Sequence, residues 1–281
     1  MNYLEKVMMI LSNRTYTGSA GRQSLIDLEI PKKFNGELIV FVHGFMGFKD
    51  WGAWHLVQRF FTEKGYGFCK FNLSHNGGSI ENGLDFPDEE AFGNNRYSYE
   101  LFDIECVLKW VSSQVDFEKT RLIGHSRGGG AVILAGSKFA NSYPISSIHT
   151  WAAISDIGMR LPEGEELEQW KKDGVRYVKN GRTKQDLPQY FTLYEDFKSH
   201  ESELNIQQAV QKLRIPITIH HGDQDTSVPL VEGIYLAHWS NVTLQLIPGA
   251  DHVFGATHPW NNSKLSSELA VLCEQTLNRM K

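Results

Sequence analysis

Short apolar runs that stop at glycine, histidine or proline punctuate this chain, and between them apolar residues recur with helical spacing. Residues 38–42 are continuously apolar and end at His43-Gly44, the pattern of a strand buried on both faces that terminates in a turn. Comparable runs lie at 67–73, 121–124, 147–154, 215–220 and 242–247. Trp54, Val57, Phe60 and Phe61 fall on one face of a helix, and Leu101, Ile104, Leu108 and Val111 on one face of a second. Buried strands alternating with amphipathic helices predict an α/β fold. Its parallel sheet would be covered on both faces, with ligand sites beyond the carboxyl ends of the strands. Residues 23–30 alternate polar and apolar instead, and are expected to form an antiparallel edge strand.

Residues 158–205 break this rhythm. Trp170, Tyr177, Tyr190, Phe191, Tyr194 and Phe197 stand there among Lys, Glu and Asp, with no clear buried strand. Sheet-like runs resume at Ile215, so the segment reads as an insertion over the sheet within a single domain spanning 1–281. Aromatic side chains are costly to expose in such numbers, which favours a cap or pocket wall over a solvated excursion.

Composition narrows the partners. Lys and Arg total 28 against 33 Asp and Glu, a formal net charge of −5, so no basic excess exists to release counterions and no nucleic-acid partner is expected. With 41% hydrophobic and 22% charged residues over 281 positions, the chain has the makeup of a globular protein with a large core. No stretch approaches the ~18 apolar residues of a membrane span, and residues 7–11 are too short for a signal-peptide core, so a cytoplasmic location is expected. Cys69, Cys106 and Cys273 sit in apolar runs and are expected to be buried thiols, not a disulfide framework. Neither His-Glu-x-x-His nor Cys-x-x-Cys spacing occurs, and no metal or other cofactor is expected.

The chemistry concentrates in Gly124-His125-Ser126-Arg127-Gly128, which follows an apolar run and opens a helical one through Ala131-Val132-Ile133-Leu134. A strand that turns at once into a helix forces its central residue into a strained backbone, and glycine on both sides leaves room for it. Ser126 would stand at the sheet's edge, at a helix N-terminus whose free N–H groups favour developing negative charge. The motif alone arises by chance in a glycine-rich chain; the strand before and the helix after give it weight. Serine is a weak nucleophile without a base held by a third group. Asp223 and Asp225 follow the run at 215–220, and His252 follows the run at 242–247, so the chain order is Ser, acid, His. Asp156, after the run at 147–154, is a further acid, and His258 a further base. His43 and His125 adjoin strand ends and are expected to hydrogen-bond around the site without acting as the base.

Together, His43-Gly44-Phe45, Gly124-His125-Ser126-Arg127-Gly128-Gly129, His221-Gly222-Asp223-Gln224-Asp225-Thr226-Ser227-Val228-Pro229 and Gly249-Ala250-Asp251-His252 resemble the α/β-hydrolase superfamily. Among its branches the chain looks most like bacterial carboxylesterases of the cinnamoyl or feruloyl esterase and dienelactone-hydrolase-like groups. The resemblance implies a mostly parallel eight-stranded sheet flanked by helices, with a cap inserted after the sixth strand at 158–205. It also implies ester hydrolysis through an acyl-enzyme, with Asp225 as the acid in place of Asp223. Dienelactone hydrolases proper use a cysteine nucleophile, where this chain has Ser126. Ser126 would then attack the carbonyl, His252 would carry the proton, Asp225 would hold the imidazole, and the backbone N–H groups of Phe45 and Arg127 would form the oxyanion hole. The Arg127 side chain is expected to pair with a carboxylate. The implied partner is a small-molecule ester, with Phe45, Phe48, Trp51, Trp54 and the aromatics of the insertion consistent with an apolar acyl or aryl pocket. Acyl transfer and aminopeptidase-like hydrolysis use the same triad, the latter needing a pocket carboxylate such as Glu195 or Asp196. A binding module that merely keeps the fold is the third alternative.

Overall fold

The computed structural model describes residues 7–280, so the outermost residues of the expected 1–281 domain lie outside it. Its core is an eight-stranded sheet in the order β1-β2-β4-β3-β5-β6-β9-β10. These strands are β1 (Val7–Thr17), β2 (Gln23–Pro31), β3 (Glu37–Val42), β4 (Gly67–Phe71), β5 (Lys119–His125), β6 (Ile145–Trp151), β9 (Ile217–Gly222) and β10 (Gln245–Ile247). From β4 to β10 all neighbours run parallel, while β1 and β2 are antiparallel additions on one side. Each apolar run of the sequence becomes one of these strands, with ends displaced by a few residues.

The expected edge strand is not at the edge. β2 does pair antiparallel with β4, but β1 covers its other side. Within β1, the register shifts between Val7 and Met9 and again between Leu11 and Arg14. Those irregularities interrupt the period-2 pattern by which a strand is read from sequence.

The helices are α1 (Trp54–Thr62), α2 (Glu89–Gly93), α3 (Tyr97–Gln114), α4 (Arg127–Phe139), α5 (Gly164–Asp173), α6 (Thr192–Ser199), α7 (Ile206–Lys212), α8 (Leu230–Ser240) and α9 (Ser267–Met280). Alternation along β3 explains how they divide between the two faces. Leu38, Val40 and Val42 join a core with α3 and α4, while Ile39 and Phe41 join another with α1 and α9. Phe41 meets the Trp54 ring at 5.0 Å and the Trp151 ring at 5.8 Å. Burial of each such side chain contributes about 1.5–3 kcal/mol, so this two-sided layer is where the sheet's stability concentrates.

The segment between β6 and β9 holds a short 3-10 turn (Gly158–Arg160), α5, α6 and a two-stranded antiparallel hairpin of β7 (Val175–Lys179) and β8 (Asp186–Tyr190). The segment was expected to hold no clear buried strand; β7 indeed has no buried residue, but Leu187, Pro188 and Gln189 of β8 are buried, which corrects that expectation in part. Trp170, Leu193 and Leu204 pack into the same cluster as α4, so part of the aromatic content is core. Cys69 and Cys273 are buried free thiols, whereas Cys106 is only half-buried. Among the described residues, no helix is long and apolar enough to cross a membrane.

Candidate active site

Register decides where the site forms. Val42 of β3 lies beside Gly124 of β5, His125 beside Trp151 of β6, and Trp151 beside His220 of β9. The loops leaving these strands therefore emerge side by side at one edge. Between β3 and β5 the chain reverses its direction of travel across the sheet, which opens the crevice there.

Ser126 sits on the turn from β5 to α4 with φ 58° and ψ −122°, a conformation rare for a residue with a side chain. A Cβ on Gly124 would meet the Gly128 carbonyl oxygen at 2.2 Å, and one on Gly128 would meet the carbonyl oxygens of Val42 and His43 at 2.4 Å. Both glycines are thus dictated by close backbone approach. Gly124→Ala is expected to destabilise the protein by about 2–4 kcal/mol, since backbone atoms must move to admit the methyl group. Urea denaturation checks this; an unchanged midpoint would show that the turn relaxes freely.

The Ser126 hydroxyl makes no helix-capping bond; its Oγ is 3.0 Å from Nε2 of His252. Nδ1 of His252 lies 2.8 Å from Oδ2 of Asp225. The other Asp225 oxygen accepts from the Ser227 and Val228 amides, each at 2.9 Å. Burial alone would raise the Asp225 pKa. The imidazoles of His221 and His252 and the Val228 amide outweigh it and hold the carboxyl far below its ordinary value. With Asp225 ionised, Nδ1 of His252 carries the proton and Nε2 is free to accept from Ser126.

The neighbouring carboxylates and bases are held elsewhere. Asp223 accepts from the Gly249 amide at 2.7 Å, and Asp156 from the Met159 amide at 3.2 Å. His258 accepts from the Gly52 amide at 2.9 Å and packs against Phe48. His43 and His125 are buried, which pushes their pKa values down to about 4 and about 3 and keeps them neutral. His125 donates from Nε2 to the His252 carbonyl at 2.8 Å, anchoring that loop. His43 accepts the Leu73 amide at Nε2 and donates from Nδ1 to the Gly44 carbonyl at 2.8 Å.

That last bond orients an amide. A trans peptide points its C=O and N–H in opposite directions. Because His43 and the Gly47 amide hold the Gly44 carbonyl, the Phe45 N–H faces the other way. Likewise the Ser126 carbonyl accepts from Gly129 and Ile154, which turns the Arg127 N–H outward at the start of α4. Among the described residues neither N–H has a protein acceptor.

The Arg127 side chain turns back into the protein. Its Nε donates to Glu100 Oε2 at 3.0 Å, and Nη2 makes a close ion contact with Oε1 at 2.7 Å. Its guanidinium lies over the Tyr97 ring at 4.1 Å. A carboxylate partner was expected from sequence without being identified; it is Glu100 of α3.

A cavity of about 430 Å³ opens at Ser126 and His252, lined also by Phe45, Tyr97, Arg160, Arg176, Val178 and Gln189. Phe45 is the one member of the expected aromatic lining that it contains. Phe48 and Trp54 are core, Trp170 is buried, and Tyr177 is exposed on the outer side of β7. Asp196 is occupied by the Ser98 amide and hydroxyl, and neither it nor Glu195 lines the cavity. Sequence reasoning missed Arg176 and Val178, which alternate on one face of β7 and whose period-2 spacing was the available signal.

A family model for the alpha/beta hydrolase fold matches residues 37–197, more than half of the chain. This protein is a member of the α/β-hydrolase family. Among solved members of similar shape, Est1E from Butyrivibrio proteoclasticus with ferulic acid bound is 20% identical, covering 95% of this chain and 99% of its own, with a TM-score of 0.70. The esterase domain of a Rhodothermus marinus protein is 18% identical over 96% of each chain, with a TM-score of 0.63. A dienelactone hydrolase from Anabaena variabilis is 12% identical, covering 96% of this chain and 95% of its own at a TM-score of 0.61. At these identities the likeness establishes the shared α/β-hydrolase fold alone. Among curated proteins none matches the sequence.

Proposed function

We propose that this α/β-hydrolase cleaves carboxylic esters of small molecules through an acyl-enzyme on Ser126. The observation that carries the reading is the continuous hydrogen-bonded chain from Ser126 Oγ through His252 to Asp225, beside two amides with no protein acceptor. His252 takes the Ser126 proton as Oγ attacks the ester carbonyl, and the oxyanion is received by the N–H groups of Phe45 and Arg127. Each such donor stabilises the transition state by about 3 kcal/mol. The same proton then passes from His252 to the departing alkoxide. Water, deprotonated by His252, attacks the acyl-enzyme, and Ser126 is regenerated. Asp225 fixes the tautomer and balances the transient imidazolium. Residues 158–205 act as a cap in this scheme, since Arg160, Arg176, Val178 and Gln189 wall the cavity.

Aminopeptidase-like hydrolysis is the weaker reading, because no Asp or Glu lines the cavity to hold a substrate amine. The test is stoichiometric labelling by a fluorophosphonate, with turnover measured on p-nitrophenyl acyl esters, methyl cinnamates and amino-acid p-nitroanilides. One label per folded chain and turnover confined to esters is the expected result. A folded protein that takes no label would overturn the reading in favour of a non-catalytic binding module.

A further inference from the structure

The cavity at Ser126 carries a charge pattern that a neutral ester does not call for. Arg127, Arg160 and Arg176 line it, and no carboxylate does. Two of these cations are matched from behind, Arg127 by Glu100 and Arg160 by Glu232. Arg176 is not. Among the described residues no carboxylate reaches ion-pair distance of its guanidinium, although it is half-buried.

Arg176 is nonetheless held in place. Its Nε donates to Gln189 Oε1 at 2.9 Å, and its guanidinium lies 4.4 Å from the centre of the Trp170 ring, itself buried in the core. One edge and one face of the guanidinium are thereby fixed, while no described group accepts from its two terminal nitrogens. Burial pushes its pKa down, opposed by Tyr97 and Glu166, but an arginine remains charged at neutral pH. A partly desolvated cation without a counter-ion is unfavourable in the free protein, and an incoming anion relieves that cost. The two terminal nitrogens present a planar pair of N–H donors that fits a carboxylate end-on, and one unmatched positive charge balances one monoanion.

We propose that Arg176 is a specificity residue that receives a carboxylate borne by the substrate, so that the preferred substrates are esters with a free acid group. The reaction it serves rests on the ester-hydrolase reading above; the binding does not. Two matched pairs distinguish the side of the ester that carries the acid. Monomethyl adipate against methyl hexanoate places it on the acyl side, and butyryloxyacetic acid against ethyl butyrate places it on the alcohol side. In at least one pair the acid is expected to be favoured by about tenfold or more in kcat/KM, the scale of one charge-assisted contact. Arg176→Gln is expected to erase that ratio, and Arg176→Lys, which keeps the charge but not the fork, to leave part of it.

Calorimetric binding of the same four esters to Ser126→Ala separates the two readings. If wild type turns over none of them but Ser126→Ala still binds an acid ester about tenfold tighter than its neutral partner, the anion site stands and the hydrolase reading falls. If neutral esters are hydrolysed and bound as well as their acid partners in both pairs, the hydrolase reading stands and the role of Arg176 is overturned. A preference that survives Arg176→Gln undiminished overturns it too.

Discussion

Ser126→Ala is expected to lower ester turnover by about 10⁵–10⁶-fold while leaving the fold intact, because nucleophile and base act as one unit and losing either removes most of their joint effect. The substitution deletes one oxygen whose bond is to His252, and Ala at this position still occupies the strained turn that Gly124 and Gly128 accommodate. Residual catalysis of about 10³-fold over water would remain from the Phe45 and Arg127 amides. Asp225→Asn is expected to cost about 10⁴-fold by a different route. The Asp225 oxygens accept from two backbone amides and from His252, so an amide nitrogen placed toward His252 would donate where it must accept. His252 would then carry its proton on Nε2, facing Ser126, and lose its function as a base. Stopped-flow and steady-state kinetics on one ester, with melting temperatures as the control, check both variants. A Ser126→Ala protein that kept even a tenth of wild-type turnover would place the nucleophile elsewhere.

How much of this was legible beforehand follows from which forces leave local marks. Strands buried on both faces read as continuous apolar runs, so β3, β4, β5, β6 and β9 were visible, while β10, at the sheet's edge with Leu246 exposed, was found from the apolar residues at 242–247. Ser126 and His252 were approachable because turn geometry demands glycine at fixed offsets and strand ends impose chain order, whereas chain order left Asp223 and Asp225 equivalent and only the family resemblance favoured Asp225. β1 was hidden by its register shifts, and the β7–β8 hairpin by its mixture of charges. The cavity wall was the least legible part. Trp170, Phe191 and Tyr194 pack on one another beneath α5 and α6, while a charged strand supplies Arg176 to the cavity. Hydrophobic patterning reports what is buried, and a substrate pocket is lined by what the core leaves uncovered.

Acid is expected to unfold this protein steeply, and the histidines supply the reason. His43, His75, His125, His149 and His220 are all buried, and burial pushes each pKa down, to about 4 for His43 and His75 and about 3 for His125 and His220. Unfolded, each titrates near 6.5, so between that value and its folded pKa the unfolded chain binds the extra proton and stability falls as pH falls. Asp103 acts in the opposite sense. Burial outweighs the Ser19 and Ser74 hydrogen bonds and raises it to about 6, so the folded state holds its proton in the range where the unfolded state has lost it. Asp225, held low, adds to the acid loss once pH drops below the ordinary carboxylate range. Near pH 5.5 the balance is roughly four protons favouring the unfolded chain, a slope of about 5 kcal/mol per pH unit. Against a typical stability of 5–15 kcal/mol, that slope places the acid midpoint between about pH 4 and 5.5. Urea titrations at pH 7.5, 6.5 and 5.5 measure the slope directly, and His149→Gln, which removes one buried titrating group outside the Ser126 cavity, is expected to reduce it by about one proton. Equal stability at pH 7.5 and 5.5 would mean that these imidazoles accept protons within the fold, and the neutral state assigned to His43 beside the Gly44 carbonyl would have to be abandoned with them.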